Sequence, residues 1–140
     1  MATTLTAKVM SAALDSIIAH ASSLSTALDI AHPNVTYEPT SGETYLQADF
    51  IPNGTQPMGI DGGDNQHLDL LQITVVYPLG GGDLAAMETA GGIAEHFKSN
   101  TRIDADGFYF RVTKQPDIAT PFTDQSWRRL PVTISLETLT

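Results

Sequence analysis

The most apolar and β-branched run of the chain is Leu68 to Tyr77. Leu71, Ile73, Val75 and Tyr77 share one face there, and Leu70, Gln72, Thr74 and Val76 the other. Successive strand side chains point to opposite faces, so this stretch predicts a central strand, fully covered on one side and partly on the second. Pro78 has no N–H for a ladder and marks its end. Gly80-Gly81-Gly82 predicts a turn, and Asp83 an N-cap for a helix running to about Lys98. In that helix Ala86, Ala90, Ile93 and Phe97 form one apolar stripe, with Glu88 and Glu95 on the opposite, solvent-facing side. Gly91-Gly92 interrupts it. Each mid-helix glycine costs about 1 kcal/mol relative to alanine, which implies a close backbone contact or a kink.

The rest of the chain yields to the same test. Leu5 to about His20 predicts a helix, with Leu5, Val9, Ala13 and Ile17 on one stripe and Met10, Leu14 and Ile18 widening it to about half the circumference. That arc is broader than one sheet contact needs, so the helix is either deeply buried or meets another subunit along one flank. Thr44 to Ile51 predicts a strand with Leu46, Ala48 and Phe50 inward. Phe108 to Lys114 predicts another, with Phe108, Phe110 and Val112 inward. Trp127 to Leu136 is the last, with Leu130, Val132, Ile134 and Leu136 inward, and Pro131 assigns it to a sheet edge. Pro52 to His67 reads as a long loop, as do Ser99 to Gly107 and Gln115 to Ser126. Loops of such length are functional or mobile. The order α-β-β-α-β-β predicts an α+β fold in a single domain, residues 1–140. Its expected architecture is a four-stranded mixed or antiparallel sheet with two helices packed on one face.

Charge narrows the function classes. The formal net charge is −9, and residues 1–100 hold 11 acidic side chains against Lys8 and Lys98 alone. Binding to a nucleic-acid duplex requires lysines and arginines to neutralise phosphates, so specific DNA or RNA binding is not expected. The absence of cysteine removes disulfides, thiolate metal sites and thiol nucleophiles. No apolar run is long enough to span a bilayer, and no signal-peptide pattern opens the chain.

No chemical motif survives inspection. Gly80-Gly81-Gly82-Asp83 lacks the lysine and hydroxyl of a phosphate-binding loop. Asp61-Gly62-Gly63-Asp64 misses the spacing of a calcium loop. His20, His32, His67 and His96 never fall at ligand spacing. Trp127-Arg128-Arg129 reads as an interface or core edge, with the arginines pairing acids of this or another subunit. No catalytic residue, metal or cofactor is expected. Met58 and Ile60 are the only large apolar residues of the Pro52–His67 loop and so its anchors for a neighbour. Asp61, Asp64, Glu88 and Glu95 are the leading candidates for an acidic surface that repels nucleic acid.

In succession these pieces resemble the phage tail terminator proteins. The resemblance rests on the N-terminal helix followed by Ala31-His32-Pro33-Asn34, and on the Thr44–Ile51 strand running into Pro52 and a glycine-bearing loop. It continues through Leu70-Leu71-Gln72-Ile73-Thr74-Val75-Val76-Tyr77-Pro78 with its glycine turn, a helix ending Ile93-Ala94-Glu95-His96-Phe97, and Trp127 with Leu130-Pro131-Val132. It implies a non-enzymatic virion protein that assembles as a ring, usually of six, on the head-proximal end of the tail tube. Implied partners are further copies of the chain, the tail tube protein and the head–tail connector or neck. DNA would pass the channel without specific binding, no membrane would be involved, and assembly would take place in the host cytoplasm. The alternatives are a neck or minor tail protein of similar fold, or a small cytoplasmic enzyme or ligand-binding domain. A deep polar pocket would mark the last.

Overall fold

A computed structural model describes residues 4–24, 27–40, 42–58, 64–105 and 107–139. In chain order the elements are α1 (Leu5–Ser23), β1 (Ile30–Ala31), β2 (Tyr45–Met58), β3 (Asp64–Pro78), α2 (Leu84–His96), β4 (Arg102–Ala105), β5 (Phe108–Val112), β6 (Asp117–Ile118), β7 (Phe122–Asp124) and β8 (Trp127–Leu139). The expected four-stranded α+β sheet is wrong. Among the described residues the strands form one eight-stranded mixed sheet in the order β1-β2-β3-β8-β5-β4, with β6 and β7 also on β8, and it curls into a half-barrel. Only β1 runs parallel to its neighbour.

The apolar faces identified from periodicity are the core. Leu71, Ile73, Val75 and Tyr77 of β3, Leu46 and Ala48 of β2, Phe110 and Val112 of β5, and Leu130, Val132, Ile134 and Leu136 of β8 are all buried. They meet Val9, Ala13, Ile17 and Ala21 of α1 and Ala86, Ala90, Ile93 and Phe97 of α2 in one cluster. Period-2 and period-3.6 patterns converge on this single interior because each element must bury its apolar side against another.

The errors concern strand ends and pairing, and proline explains most of them. In an extended chain the N–H and C=O of one residue point to the same edge. Leu46 donates to the Asp29 carbonyl of the segment leading into β1, so Leu46, Ala48, Phe50 and Pro52 turn their backbone groups away from β3. Past the bulge between Pro52 and Thr55, Pro57 opposes Asn65 in the same sense. Both prolines thus place their missing N–H on the sheet's open edge, where no ladder bond is lost. Residues 52–58 and 64–67, expected as loop, are the two strands of a hairpin arm, while residues 59–63 lie outside the described residues. Gly54, at φ 111°, supplies the positive dihedral inside the bulge.

Pro131 follows the same rule. Its carbonyl accepts from Ala119, so its ring nitrogen faces the gap between β6 and β7. β8 is therefore not an edge strand as expected from Pro131. It pairs β3 along one side and β5, β6 and β7 in succession along the other. The long connections expected at 99–107 and 115–126 supply β4, β6 and β7. β6 and β7 satisfy backbone groups of β8 that would otherwise be buried along an unpaired edge, and β4 pairs the outer edge of β5.

Candidate assembly surfaces

The arm is the first surface. β2 and β3 stay paired as far as Met58 opposite Asp64, whereas the β3–β8 ladder ends at Gln66 opposite Leu139. Residues 51–57 are all exposed. Along the arm Thr55 Oγ1 and His67 Nδ1 lie 3.2 Å apart. Met58 is placed by its backbone pairing with Asp64, and Ile60 and Asp61 fall outside the described residues.

The second surface is the face of the sheet turned away from the helices. Tyr45 of β2 and Trp127 of β8 meet edge to face, 5.7 Å between ring centroids, and Tyr37 packs 4.7 Å from Tyr45. Since β3 runs between β2 and β8, these rings meet over it and cover Val76, which is fully buried. This is the partial cover that periodicity predicted for β3, although the part played by Tyr37 and Tyr45 was not legible. Next to the rings, Arg129 donates through Nε to Asp124 Oδ2 at 3.0 Å and through Nη1 to Gln47 Oε1 at 2.9 Å. Nearer the arm, Arg111 donates to Glu137 Oε1 and Asn100 Oδ1, both at 2.9 Å, and Gln66 also donates to Glu137.

The third surface is the start of α2. Asp83 holds the N-cap position, but its side chain makes no capping bond. Instead Arg128 Nε and Nη2 donate to its two oxygens at 2.8 and 3.1 Å, and the Tyr77 hydroxyl donates at 2.7 Å. The Arg128 guanidinium, and then the Tyr77 hydroxyl, hold the Asp83 carboxyl below the ordinary carboxylate range. Arg128 also donates to Thr123 of β7. Arg128 and Arg129, candidates for contact with a neighbour, are thus engaged within the chain. So are the other bases of residues 101–140: Arg102 pairs with Asp104, Arg111 with Glu137 and Lys114 with Asp117. Glu88 and Glu95 stand exposed on the outer side of α2, beside the exposed Leu84 and Met87.

Tertiary structure joins what spacing separated. His20 and His96 lie 4.7 Å apart between α1 and α2, and Ser16 Oγ is 3.0 Å from His96 Nε2. Burial lowers both imidazole pKa values, and His96 depresses His20 further. No group of three potential ligands surrounds them or any other point among the described residues. Within the same residues no helix is long and apolar enough to cross a membrane.

An open, largely apolar groove of about 640 Å³ runs along α2, lined by Leu24, Leu28, Leu79, Ala85, Thr89 and Gly92 among others, with Glu88 as its one charge. A smaller polar hollow of about 260 Å³ lies between His32–Tyr37 and Gln47–Asp49.

A family model described as phage tail terminator protein matches residues 8–136. Seven chains of known structure also match. One of them superposes with a TM-score of 0.78 at 23% sequence identity, over 93% of this chain and 92% of its own. That likeness shows a shared fold. No curated protein matches the sequence.

Proposed function

Because the chain belongs to the phage tail terminator family, whose members are structural components of the phage tail, we propose that it assembles as a ring of six on the head-proximal end of the tail tube. There it ends tube polymerisation and offers the head or neck its docking surface. The observation that carries this reading is the family match across nearly the whole chain. The charge distribution supports it. Most acids of residues 1–100 have no ion-pair partner among the described residues, while the bases of residues 101–140 are consumed by ion pairs within the chain. A surface of that kind lets DNA slide past without binding phosphate by phosphate. Glu88 and Glu95 on α2 and Asp64 at the start of β3, with Asp61 just before it in sequence, are assigned to the channel wall.

Native mass spectrometry of the assembled protein and averaged images of isolated tail ends test the ring. Six-fold density at the head-proximal end is the expected result. A single copy per tail, or a ring at the distal end, would overturn it. A ring structure with all four acids on its outer wall would refute the channel assignment while leaving the ring intact.

A further inference from the structure

Trp127 is the chain's one tryptophan. Its ring is half-buried against Tyr45, and among the described residues its indole N–H has no hydrogen-bond partner. Beside it lies an open cleft of about 660 Å³, lined by Pro39, Gly42, Pro78, Leu79, Ser126 and Trp127 among others, with no charged side chain in its lining. Glu38 and Glu43 adjoin the lining residues Pro39 and Gly42 in sequence. Both are exposed, and neither enters an ion pair among the described residues. A third acid is close by. The Tyr37 hydroxyl donates to Asp29 Oδ2 at 3.2 Å, and the charges of Asp29 and Glu43 add to the rise that burial causes in the Tyr37 pKa. Arg128 and Arg129 on β8 are already paired with Asp83 and Asp124. The cleft thus sets an uncharged aromatic and proline floor beside uncompensated negative charge. We propose that it docks an arginine- or lysine-bearing segment of a protein other than this chain. The inference goes beyond the ring and does not depend on its number of copies.

Charge and chemistry choose this occupant over others. An arginine or lysine has an apolar stem and a cationic head, and packs the stem along apolar surface while the head stays in water. Here the prolines, Leu79 and Trp127 receive the stem, and Glu38 and Glu43 receive the head. A guanidinium gains further where it lies over an indole face within about 6 Å. The unused Trp127 N–H is a donor for a backbone carbonyl of an extended segment. Nucleic acid is a poor occupant, because the same carboxylates repel phosphate. A second copy has little to offer. Five of its seven bases, Arg102, Arg111, Lys114, Arg128 and Arg129, are held in ion pairs within the chain. The other two, Lys8 and Lys98, lie within α1 and two residues past the end of α2, not on an extended segment. A small ligand would find few polar groups in the cleft to fix its orientation.

Assembled virions test the docking directly. Ser126 lines the cleft and is exposed, so Ser126→p-benzoylphenylalanine places a photo-crosslinker there without disturbing the core. Irradiated virions, digested and read by mass spectrometry, should yield a crosslinked peptide that carries arginine or lysine and comes from a different protein. Glu38→Lys combined with Glu43→Lys should lower the crosslink yield per copy about tenfold, because like charges then face each other. Asp15→Lys, at an exposed acid of α1, should leave the yield unchanged. All these positions are exposed, so each variant is expected to melt like the parent. Crosslinks only to further copies of the chain, to DNA or to nothing would overturn the proposal, and so would a yield that survives the charge reversal. A ring of another size would refute the six-fold reading and leave this contact standing.

Discussion

Asp69 lies on the same face of β3 as Leu71 and Ile73 yet ends in a carboxyl group, and it is only 6% exposed. Burial raises its pKa, an effect that His67 partly opposes. The folded state then binds more protons than the unfolded chain. The stability contributed by this group is fully present below about pH 3.9 and is lost as pH rises through the folded value. Asp69→Asn is expected to raise Tm at neutral pH, with the gain shrinking as the pH is lowered towards 4. Thermal melts across that range check it, and identical melts at neutral pH would show that the carboxylate is well solvated. His20 and His96 have the opposite sign. Their folded pKa values are lowered, so the folded state binds fewer protons and stability is lost as pH falls below about 6.5. Urea denaturation on either side of that pH should show the loss. A variant with both His20→Gln and His96→Gln should show less of it, and an unchanged pH dependence would place the proton uptake elsewhere.

At the scale of elements, the glycines of α2 separate into two cases. A Cβ added to Gly92 would touch His20 Nε2 at 3.9 Å, an ordinary contact, and one added to Gly91 would meet nothing within 4 Å. Close packing at Gly92 thus accounts for little of the helix's unfavourable pair, and Gly91 has no such contact. Gly91→Ala is expected to stabilise the subunit by about 1 kcal/mol in urea denaturation. Gly82 stands at φ 83° in the turn before α2, and Gly82→Ala should destabilise it by about 1–2 kcal/mol. The arm offers a different test. Replacing both Pro52 and Pro57 with threonine restores two N–H groups to an open edge. Subunit Tm should hardly move, but light scattering should reveal concentration-dependent association into species larger than the parent forms. A double variant as soluble as its parent would show that the prolines protect nothing.

At the scale of the molecule, charge governs how copies approach. Subunits of net charge −9 repel, and mobile ions screen that repulsion over a Debye length of about 10 Å at 0.1 M salt. Assembly of such like-charged copies should therefore strengthen as ionic strength rises from about 0.01 M to 0.15 M. Sedimentation velocity would measure the shift. Weakening with salt would mean that ion pairs across the interface dominate, and would return Arg128 and Arg129 to consideration as contacts.

Most of the apolar core followed from sequence alone, whereas the burial of Tyr45, Asp69 and Thr138 did not. Periods of 2 and 3.6 residues report on one side chain's surroundings at a time, and the stripes of α1, α2, β3, β5 and β8 recur in the folded core, with Leu5 and Phe108 at its margin. The order of motifs likewise pointed to the tail terminator family. What only tertiary structure decided is how strands pair. A strand of two or three residues such as β6 or β7 is too short for a period, and it exists because β8 has an edge to satisfy. The same holds for proline. Pro52, Pro57 and Pro131 are strand breakers only where their nitrogen faces a partner, and which edge a residue faces is a property of the sheet. His20 and His96, or Asp83 and Arg128, are likewise distant in sequence and meet only because the helices cross one sheet. Their roles depend on distances that no local pattern encodes.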